Sequence, residues 1–226
     1  MQEVYLIRHG QAGSRTDYDR LSELGEEQAG RLGAYYARSG VAMDRVVCGG
    51  VRRQRHTAEL VFGGGVEADA LWNEFDLDAV YAEVGPRLAE VDRDFRREFE
   101  ELRRQSEDAG SSVHRSWRRS DYQVVEAWVE DRFAVGCERW PEFRERIWRA
   151  WDQVGEGQRW AIVSSATPIG IVTARLFDAP AGKCFELAGA LVNCSFTVLR
   201  RRGGNWMLSG FNHMPHLEEE RLRTHR

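Results

Sequence analysis

A short apolar strand that runs directly into three chemically active residues most restricts the folds open to this chain. Glu3–Ile7 is predicted to form the strand, and the tripeptide Arg8-His9-Gly10 follows at its carboxyl end. In open α/β sheets, ligands bind just outside the carboxyl ends of strands. Arg8 supplies a planar, charged fork that fits phosphate oxygens, and Gly10 lets the backbone turn sharply beside a ligand. His9 supplies an imidazole that is nucleophilic when neutral. We therefore expect a phosphate site here; the alternative is a solvated arginine and an incidental histidine.

Length and charge exclude several classes of protein. The chain has 226 residues, of which 42% are hydrophobic and 30% charged, as is typical of a globular protein that folds alone. A formal net charge of −4 argues against a general nucleic-acid binder. We find no apolar run near the roughly 18 residues of a membrane helix and no signal peptide, so we expect a cytoplasmic protein with no membrane partner. The four cysteines form no CxxC or His/Cys cluster, which predicts reduced, mostly buried thiols and no metal site.

The second recognisable segment is a capped helix. Ser22 is expected to cap a helix that runs to Ser39, with Gly40 at its end. Apolar residues recur on one face of this segment, as an amphipathic helix requires. The segment contains the pattern Leu21-Ser22-x-x-Gly25-x-x-Gln28-Ala29.

A second strand followed by an arginine-rich helix start comes next. Asp44–Cys48 is the predicted strand, and three arginines follow a Gly-Gly turn: Arg52, Arg53 and Arg55. A helix start beside an arginine is a good anion site, because its free N–H groups and its dipole point at the ligand. The alternative for these arginines is a solvated basic face. His56 lies on the same face as Arg53; it either reaches the rim of the site or makes a structural contact.

In this order, the three stretches resemble the signature of the histidine phosphatase superfamily, the phosphoglycerate-mutase-like proteins. That family carries Arg-His-Gly after its first strand, then Leu-Thr/Ser-x-x-Gly-x-x-Gln-Ala, then Ser-Pro-Leu-x-Arg-Ala-x-Gln-Thr-Ala. Counting back from Thr57-Ala58 places Arg53 at the family's second phosphate-binding arginine. The chain departs from the pattern at Cys48-Gly49-Gly50, which replaces Ser-Ser-Pro, and at His56, which replaces Gln. Glycines keep the turn possible, so the resemblance still implies phosphate binding by Arg53.

The resemblance also implies a proton donor. The family places a glutamate in a Leu-x-Glu context after its third strand, which we predict at Val66–Leu71. Glu74 takes that position, with Asp76 as the alternative. Beside two arginines, a carboxyl group needs some burial or a bound phosphate dianion to stay protonated.

Residues from 77 to about 140 are predicted to be a helical insertion. Gly85-Pro86 is expected to open a helix over Arg87–Glu107, residues 109–112 to form a linker, and Asp121–Val135 to form another helix. In the family, such segments form a cap that shapes substrate choice. Tryptophan and arginine side chains suit a ring-bearing or anionic substrate; the alternative is a seam between helices. The aromatic residues concerned are Trp117, Tyr122, Trp128 and Trp140.

The segment after the last parallel strand decides the chemistry. Pro141–Val154 is a predicted helix, Trp160–Ser164 a buried parallel strand, and a further helix is expected from Pro168. The family has Val-Ser-His-Gly-Gly-x-Ile after this strand, and its histidine is the second catalytic imidazole. Here Ser165 stands at that position. We expect the site still to bind an anion through backbone N–H groups and the Ser165 hydroxyl, but without the positive charge that the histidine would bring.

The carboxyl-terminal part is predicted to be a hairpin followed by a solvated tail. Asn193–Arg200 and Trp206–Phe211 are expected to pair through a Gly-Gly turn. The segment Asn212–Leu217 resembles the Asn-x-x-x-His-Leu that closes many family members. Either His213 or His216 is a hypothetical replacement for the missing imidazole, with a structural hydrogen bond as the alternative.

Together these features predict one domain over residues 1–226, with a three-layer α/β/α fold, a mostly parallel sheet and a helical cap insertion over about 77–140. The resemblance implies a metal-independent phosphomonoester hydrolase of the histidine acid type, which acts through a phosphohistidine and needs no cofactor. Its expected partner is a phosphorylated small molecule or phosphate, and turnover is expected to be slow or selective because of Ser165. The alternatives are a catalytically impaired protein that binds a phospho-ligand and a phosphomutase. A homodimer through the hairpin or the cap is a further expectation. The implied catalytic residues are His9 and Glu74, and the implied phosphate-binding residues are Arg8, Gln11, Arg53 and Ser165.

Overall fold

A six-stranded sheet forms the centre of the computed structural model, which describes residues 2–13, 17–107, 119–180 and 182–225. The strands stand in the order β3-β2-β4-β1-β5-β6, and only the pairings of β5 with β1 and with β6 are antiparallel. The mostly parallel sheet is therefore confirmed. The strands are β1 (Gln2–Arg8), β2 (Arg45–Cys48), β3 (Glu67–Ala68), β4 (Arg159–Ser164), β5 (Phe196–Arg202) and β6 (Asn205–His213).

Helices alternate with these strands along the chain, and both faces of the sheet are buried. The helices are α1 (Glu23–Ser39), α2 (Arg52–Phe62), α3 (Leu77–Val91), α4 (Arg93–Glu107), α5 (Arg119–Val129), α6 (Trp140–Asp152), α7 (Ala166–Leu176) and α8 (Lys183–Ala190), with 3₁₀ turns at Ala70–Trp72 and Glu220–Leu222. Tyr5 and Ile7 of β1 pack with residues of α1 and α2 in one core cluster. Their neighbours Val4 and Leu6 are equally buried, and side chains alternate between the faces of a strand, so the opposite face is covered as well.

Caps and turns form where local chemistry predicts them. The Ser22 side chain accepts the N–H of Gly25 at 3.0 Å at the start of α1, and Gly40 ends that helix in the left-handed conformation. Gly203 and Gly204 both have positive φ and close the hairpin between β5 and β6. The capped helix and the hairpin are thus confirmed.

The chain divides into two compact units, residues 1–74 with 146–226, and residues 75–145. A single domain with an insertion stays a prediction. Inside the second unit, Phe75 and Trp128 stack with ring centroids 4.8 Å apart, and Phe143 and Trp140 pack beside them. These buried tryptophans form the unit's own core. Trp117 and the predicted linker lie outside the described residues.

The helix predicted over Arg87–Glu107 is wrong at its start. The structure has α3 from Leu77 to Val91, with Pro86 inside it, because Asp76 accepts the N–H of Ala79 and caps an earlier start. The break comes at Asp92 instead, whose carboxylate accepts the N–H groups of Asp94 and Phe95 and begins α4.

Three smaller expectations are also corrected. The third strand is only Glu67–Ala68, because the chain turns into a 3₁₀ helix at Ala70, where the Asp69 side chain accepts the N–H of Leu71. The helix expected to reach Val135 ends at Val129, since Asp131 takes a positive φ of 54°. The helix expected from Pro168 already begins at Ala166.

The prediction of a solvated carboxyl-terminal tail is wrong. Leu222 is fully buried, and the backbone N–H of Asn193 donates to the carbonyl of Thr224 at 2.8 Å. Gln28 of α1 donates through Nε2 to the Leu222 carbonyl at 2.7 Å. These contacts fix the segment from Leu222 to Thr224 against the sheet unit.

The four cysteines are all free thiols, as expected; three are buried and Cys137 is partly exposed. Within the described ranges, no helix is long and apolar enough to cross a membrane. The described side chains also contain no group of three or more histidine, cysteine, aspartate or glutamate residues arranged to hold a metal.

Candidate active site

The candidate site lies where three neighbouring parallel strands end. His9 follows β1, Ser165 follows β4, and Arg53 is the second residue of α2, which follows β2. Because β4 lies between β1 and β2, the three loops meet at one edge of the sheet.

His9 is a buried, neutral imidazole whose reactive nitrogen is defined by its contacts. The residue is 2% exposed, and its Nδ1 lies 2.7 Å from the carbonyl oxygen of Gly10. A carbonyl only accepts hydrogen bonds, so Nδ1 carries the proton and Nε2 keeps its lone pair. Burial first, and then the charges of Arg53 and Arg8, hold the His9 pKa well below its ordinary value. Nε2 is therefore a neutral nitrogen nucleophile.

Arg53 touches that nucleophile and is anchored from the opposite side. Its Nε lies 3.3 Å from His9 Nε2, and its Nη1 donates to the Asp19 carboxylate at 3.0 Å. Asp19 also accepts the backbone N–H of Arg52 at 3.0 Å, so it caps α2 from a distant loop. Val51, at the N-cap position, offers no side-chain cap. The ring of Tyr18 lies 4.9 Å from the Arg53 guanidinium carbon.

Arg8 is a buried cation that makes no salt bridge among the described residues, although the Glu74 carboxylate acts on it electrostatically. Its two terminal nitrogens donate to the carbonyls of Leu191 and His225, the latter at 2.8 Å, while its Nε has no partner there. Burial lowers the Arg8 pKa to about 10, so the group stays charged near neutrality. A buried charge of this kind is costly unless an anion compensates it.

The turn between β1 and α1 holds the site together. The Gly10 N–H donates to the Thr57 hydroxyl at 3.0 Å, and that hydroxyl donates to the Arg53 carbonyl at 2.8 Å. A Cβ on Gly10 would lie 2.5 Å from the carbonyl oxygen of Gly25, so the glycine is needed for this close approach.

Gln11 belongs to the same turn. Its side-chain oxygen accepts the Ser22 hydroxyl at 2.8 Å, and its backbone N–H donates to Gln28 at 2.8 Å. These contacts connect Gln11 to the start of α1. The phosphate-binding role implied for Gln11 stays a prediction.

Ser165 is buried at the N-cap of α7. Its Oγ accepts a hydrogen bond from Gln54 Nε2 at 2.7 Å. The preceding Ser164 donates its hydroxyl to the Trp72 carbonyl at 2.6 Å, which connects this turn to the 3₁₀ helix before Glu74. Sequence reasoning did not identify Gln54, because nothing local marks a contact across 111 residues.

Glu74 lies at the same edge of the sheet. Its Oε2 accepts the backbone N–H of Thr167, in the first turn of α7, at 3.2 Å. Arg146 donates to the carbonyls of Leu71 and Asn73 at 2.9 and 3.0 Å, and so holds the segment that leads into Glu74. The alternative acid, Asp76, caps α3 instead.

The other three candidate histidines make contacts elsewhere. His56 lies 4.0 Å from the Glu26 carboxylate on the exposed side of α2. His213 and His216 both stack on Phe196, with ring centroids 5.6 and 6.3 Å apart. The structural contact given as the alternative for His56 fits its position. For His213 and His216 the structure shows ring stacking instead of the structural hydrogen bond given as the alternative.

A family model matches most of the chain. The family model described as the histidine phosphatase superfamily (branch 1) matches residues 4–130 and 114–214. No curated protein sequence matches the chain significantly.

Solved structures similar to this one include three phosphatases. A putative α-ribazole-5′-P phosphatase from Escherichia coli has 20% identity, a TM-score of 0.63 and coverage of 95% of this chain and 98% of its own. A mutant phosphoserine phosphatase from Entamoeba histolytica, in complex with phosphoserine, has 16% identity, a TM-score of 0.57 and coverage of 96% and 100%. A mycobacterial glucosyl-3-phosphoglycerate phosphatase has 19% identity, a TM-score of 0.58 and coverage of 94% and 99%. At these identities the likeness shows the fold.

Proposed function

Because the chain belongs to the histidine phosphatase superfamily (branch 1), we propose that it hydrolyses phosphomonoesters through a phosphohistidine formed on His9. One observation carries this proposal. A neutral, buried imidazole keeps a lone pair on Nε2 beside buried Arg53, while the buried Arg8 guanidinium forms no salt bridge within the described residues and donates to backbone carbonyls. A bound phosphoryl group would supply the missing negative charge.

The proposed first step transfers the phosphoryl group to His9. Arg8 and Arg53 hold the phosphoryl oxygens, and the Arg53 N–H moves from His9 Nε2 to one of them. Nε2 then forms a bond to phosphorus as the ester P–O bond breaks, and the Glu74 carboxyl group protonates the leaving oxygen. Positioning and charge stabilisation supply most of the rate enhancement in phosphoryl transfer.

The proposed second step regenerates the enzyme. The Glu74 carboxylate takes a proton from water, whose oxygen attacks phosphorus while the bond to His9 Nε2 breaks and phosphate leaves. Ser165 contributes a neutral hydrogen bond where the family pattern has a second imidazole. Removing one preorganised charge from a transition state costs roughly 2.7–4 kcal/mol, or about 10²–10³ in rate, so we expect slow or selective turnover.

We propose a phosphorylated small molecule as the substrate. The similar structures are named for α-ribazole-5′-P, phosphoserine and glucosyl-3-phosphoglycerate, which are all small phosphomonoesters. A second candidate function, a phospho-ligand binding or regulatory protein, is favoured by Ser165 alone. It predicts a melting temperature that rises with phosphate in a protein that neither turns over nor becomes phosphorylated.

The test is turnover of para-nitrophenyl phosphate in EDTA from acid to neutral pH. We expect the parent to hydrolyse the ester and His9→Ala to lose all turnover, because the nucleophile is gone. His56→Asn serves as a matched control, since His56 pairs with Glu26 on the exposed side of α2, and it should keep the parent rate. Unchanged turnover in His9→Ala would contradict the mechanism.

A further inference from the structure

Gln54 and Ser165 form a buried hydrogen-bonded pair beside the reactive histidine. Gln54 Nε2 donates to Ser165 Oγ at 2.7 Å, and the two residues are 0% and 2% exposed. Gln54 follows Arg53 directly, and the Arg53 side chain contacts His9. A buried glutamine so close to the nucleophile is costly, because its amide must lose all of its water.

Gln54 Nε2 also donates to the Trp72 carbonyl at 3.5 Å, which connects the pair to the segment before Glu74. Gln54 Oε1 has no hydrogen-bond partner within the described part of the chain, and an unpaired buried amide oxygen destabilises a fold. The side chain also requires space from its neighbours: a Cβ on Gly49 would lie 1.7 Å from Gln54 Oε1. Gly49 therefore has to be glycine for Gln54 to adopt this position.

Two departures from the family pattern meet in this pair. The pattern has alanine after the phosphate-binding arginine and histidine after the Val-Ser of the last parallel strand. This chain has the larger Gln54 at the first position and the smaller Ser165 at the second. Since the two side chains touch, a larger side chain at one position can offset a smaller one at the other.

We propose that Gln54 occupies the space of the missing second imidazole and is a positioning residue that orients the Ser165 hydroxyl toward the phosphoryl group. The positioning role rests on the proposed function; the occupation of space does not. The Gln54 N–H takes one lone pair of Ser165 Oγ, so the hydroxyl proton is left to donate to a phosphoryl oxygen. The pair thus replaces a cationic group with a neutral, preorganised one.

Melting temperatures test whether Gln54 fills the space that an imidazole at position 165 would need. We compare the parent with Gln54→Ala, Ser165→His and the double variant that carries both changes. Ser165→His alone should overpack the site and lower the melting temperature by roughly 3–10 °C. The double variant should regain at least half of that decrease, because alanine makes room for the ring. If Ser165→His does not fold, a folded double variant supports the proposal and an unfolded one overturns it.

Two results would overturn the proposal that Gln54 fills this space. One is a Ser165→His variant that melts within about 1 °C of the parent. The other is a double variant whose decrease equals the sum of the two single decreases, since independent sites add. Arg55→Ala is the matched control on the exposed side of α2, and it should leave the melting temperature and the rate unchanged.

The positioning role is tested by kinetics. Gln54→Ala should lower kcat on para-nitrophenyl phosphate by about tenfold with little change in KM. In a Ser165→Ala background, the same change should have no further effect, because Gln54 acts through the hydroxyl. Additive effects on kcat would overturn the role. If the parent itself has no turnover, the proposed function and the positioning role fail together, while the stability cycle still decides whether Gln54 fills the imidazole space.

Discussion

At the scale of single residues, burial keeps the candidate nucleophile neutral beside two cations. Two arginine charges and the loss of water both disfavour protonation of His9, and the Gly10 carbonyl fixes its proton on Nδ1. Short motifs in a known register were enough to select Arg8, His9 and Arg53 as candidate site residues from the sequence. They did not select Asp19 or Gln54, because the contacts of these two residues with Arg53 and Ser165 span 34 and 111 residues.

One residue-scale prediction concerns acid stability. Burial lowers the pKa of His216 to about 4, against about 6.5 in an unfolded chain. Between about pH 6.5 and 4, His216 is protonated in the unfolded state but stays neutral in the folded state. The stability that depends on the neutral form is therefore fully present above this window and is lost as the pH falls through it. The decrease from this one residue should reach about 3 kcal/mol.

Urea unfolding of the parent and of His216→Gln between about pH 4 and 7 measures this decrease. The variant has no imidazole at that position, so its free energy of unfolding should fall less steeply in acid. His9 and ion-paired carboxylates such as Glu3, whose pKa is lowered by its arginine partners, supply the remaining slope. Parallel curves for the two proteins would show that His216 is not the titrating group.

At the scale of secondary structure, the site depends on how closely α1 approaches the end of β1. A Cβ on Gly25 would lie 2.2 Å from the carbonyl oxygen of Gln11, so only glycine lets the first turn of α1 reach the turn after His9. The motifs at the end of β1 and the start of α1 predicted both of these elements. The break at Asp92 was missed, because the glycine-proline pair inside α3 looks like a helix boundary and the actual break is set by capping aspartates.

The matching element-scale prediction compares two glycines of α1. Gly25→Ala should destabilise the protein by about 3 kcal/mol, because the new methyl group meets rigid backbone. Gly30→Ala is the control: nothing lies within 4 Å of its Cβ position, and alanine favours helix, so it should stabilise by about 0.5–1 kcal/mol. Denaturant unfolding compares the two variants, and equal effects would contradict the close-approach argument.

At the scale of the whole molecule, the carboxyl-terminal end of the described chain reaches the site. The His225 carbonyl accepts a hydrogen bond from Arg8, and Thr224 bonds to Asn193 and Gln28. The carboxyl-terminal segment thus helps to orient a candidate phosphate-binding arginine. Its charged composition looks like that of a solvated tail, so sequence reasoning missed contacts that only the fold creates. The order of motifs along the chain, in contrast, was enough to predict the α/β architecture.

The most direct test of the account is to trap the phosphorylated protein. The parent and Glu74→Gln are mixed with para-nitrophenyl phosphate, quenched in alkali, where phosphohistidine survives, and analysed by intact-mass and peptide mass spectrometry, with His9→Asn as the control. The proposed mechanism predicts one added phosphoryl group on the peptide that contains His9, more of it in Glu74→Gln because water attack is slowed, and none in His9→Asn. A label on another residue, or turnover with no label in either the parent or Glu74→Gln, would contradict it.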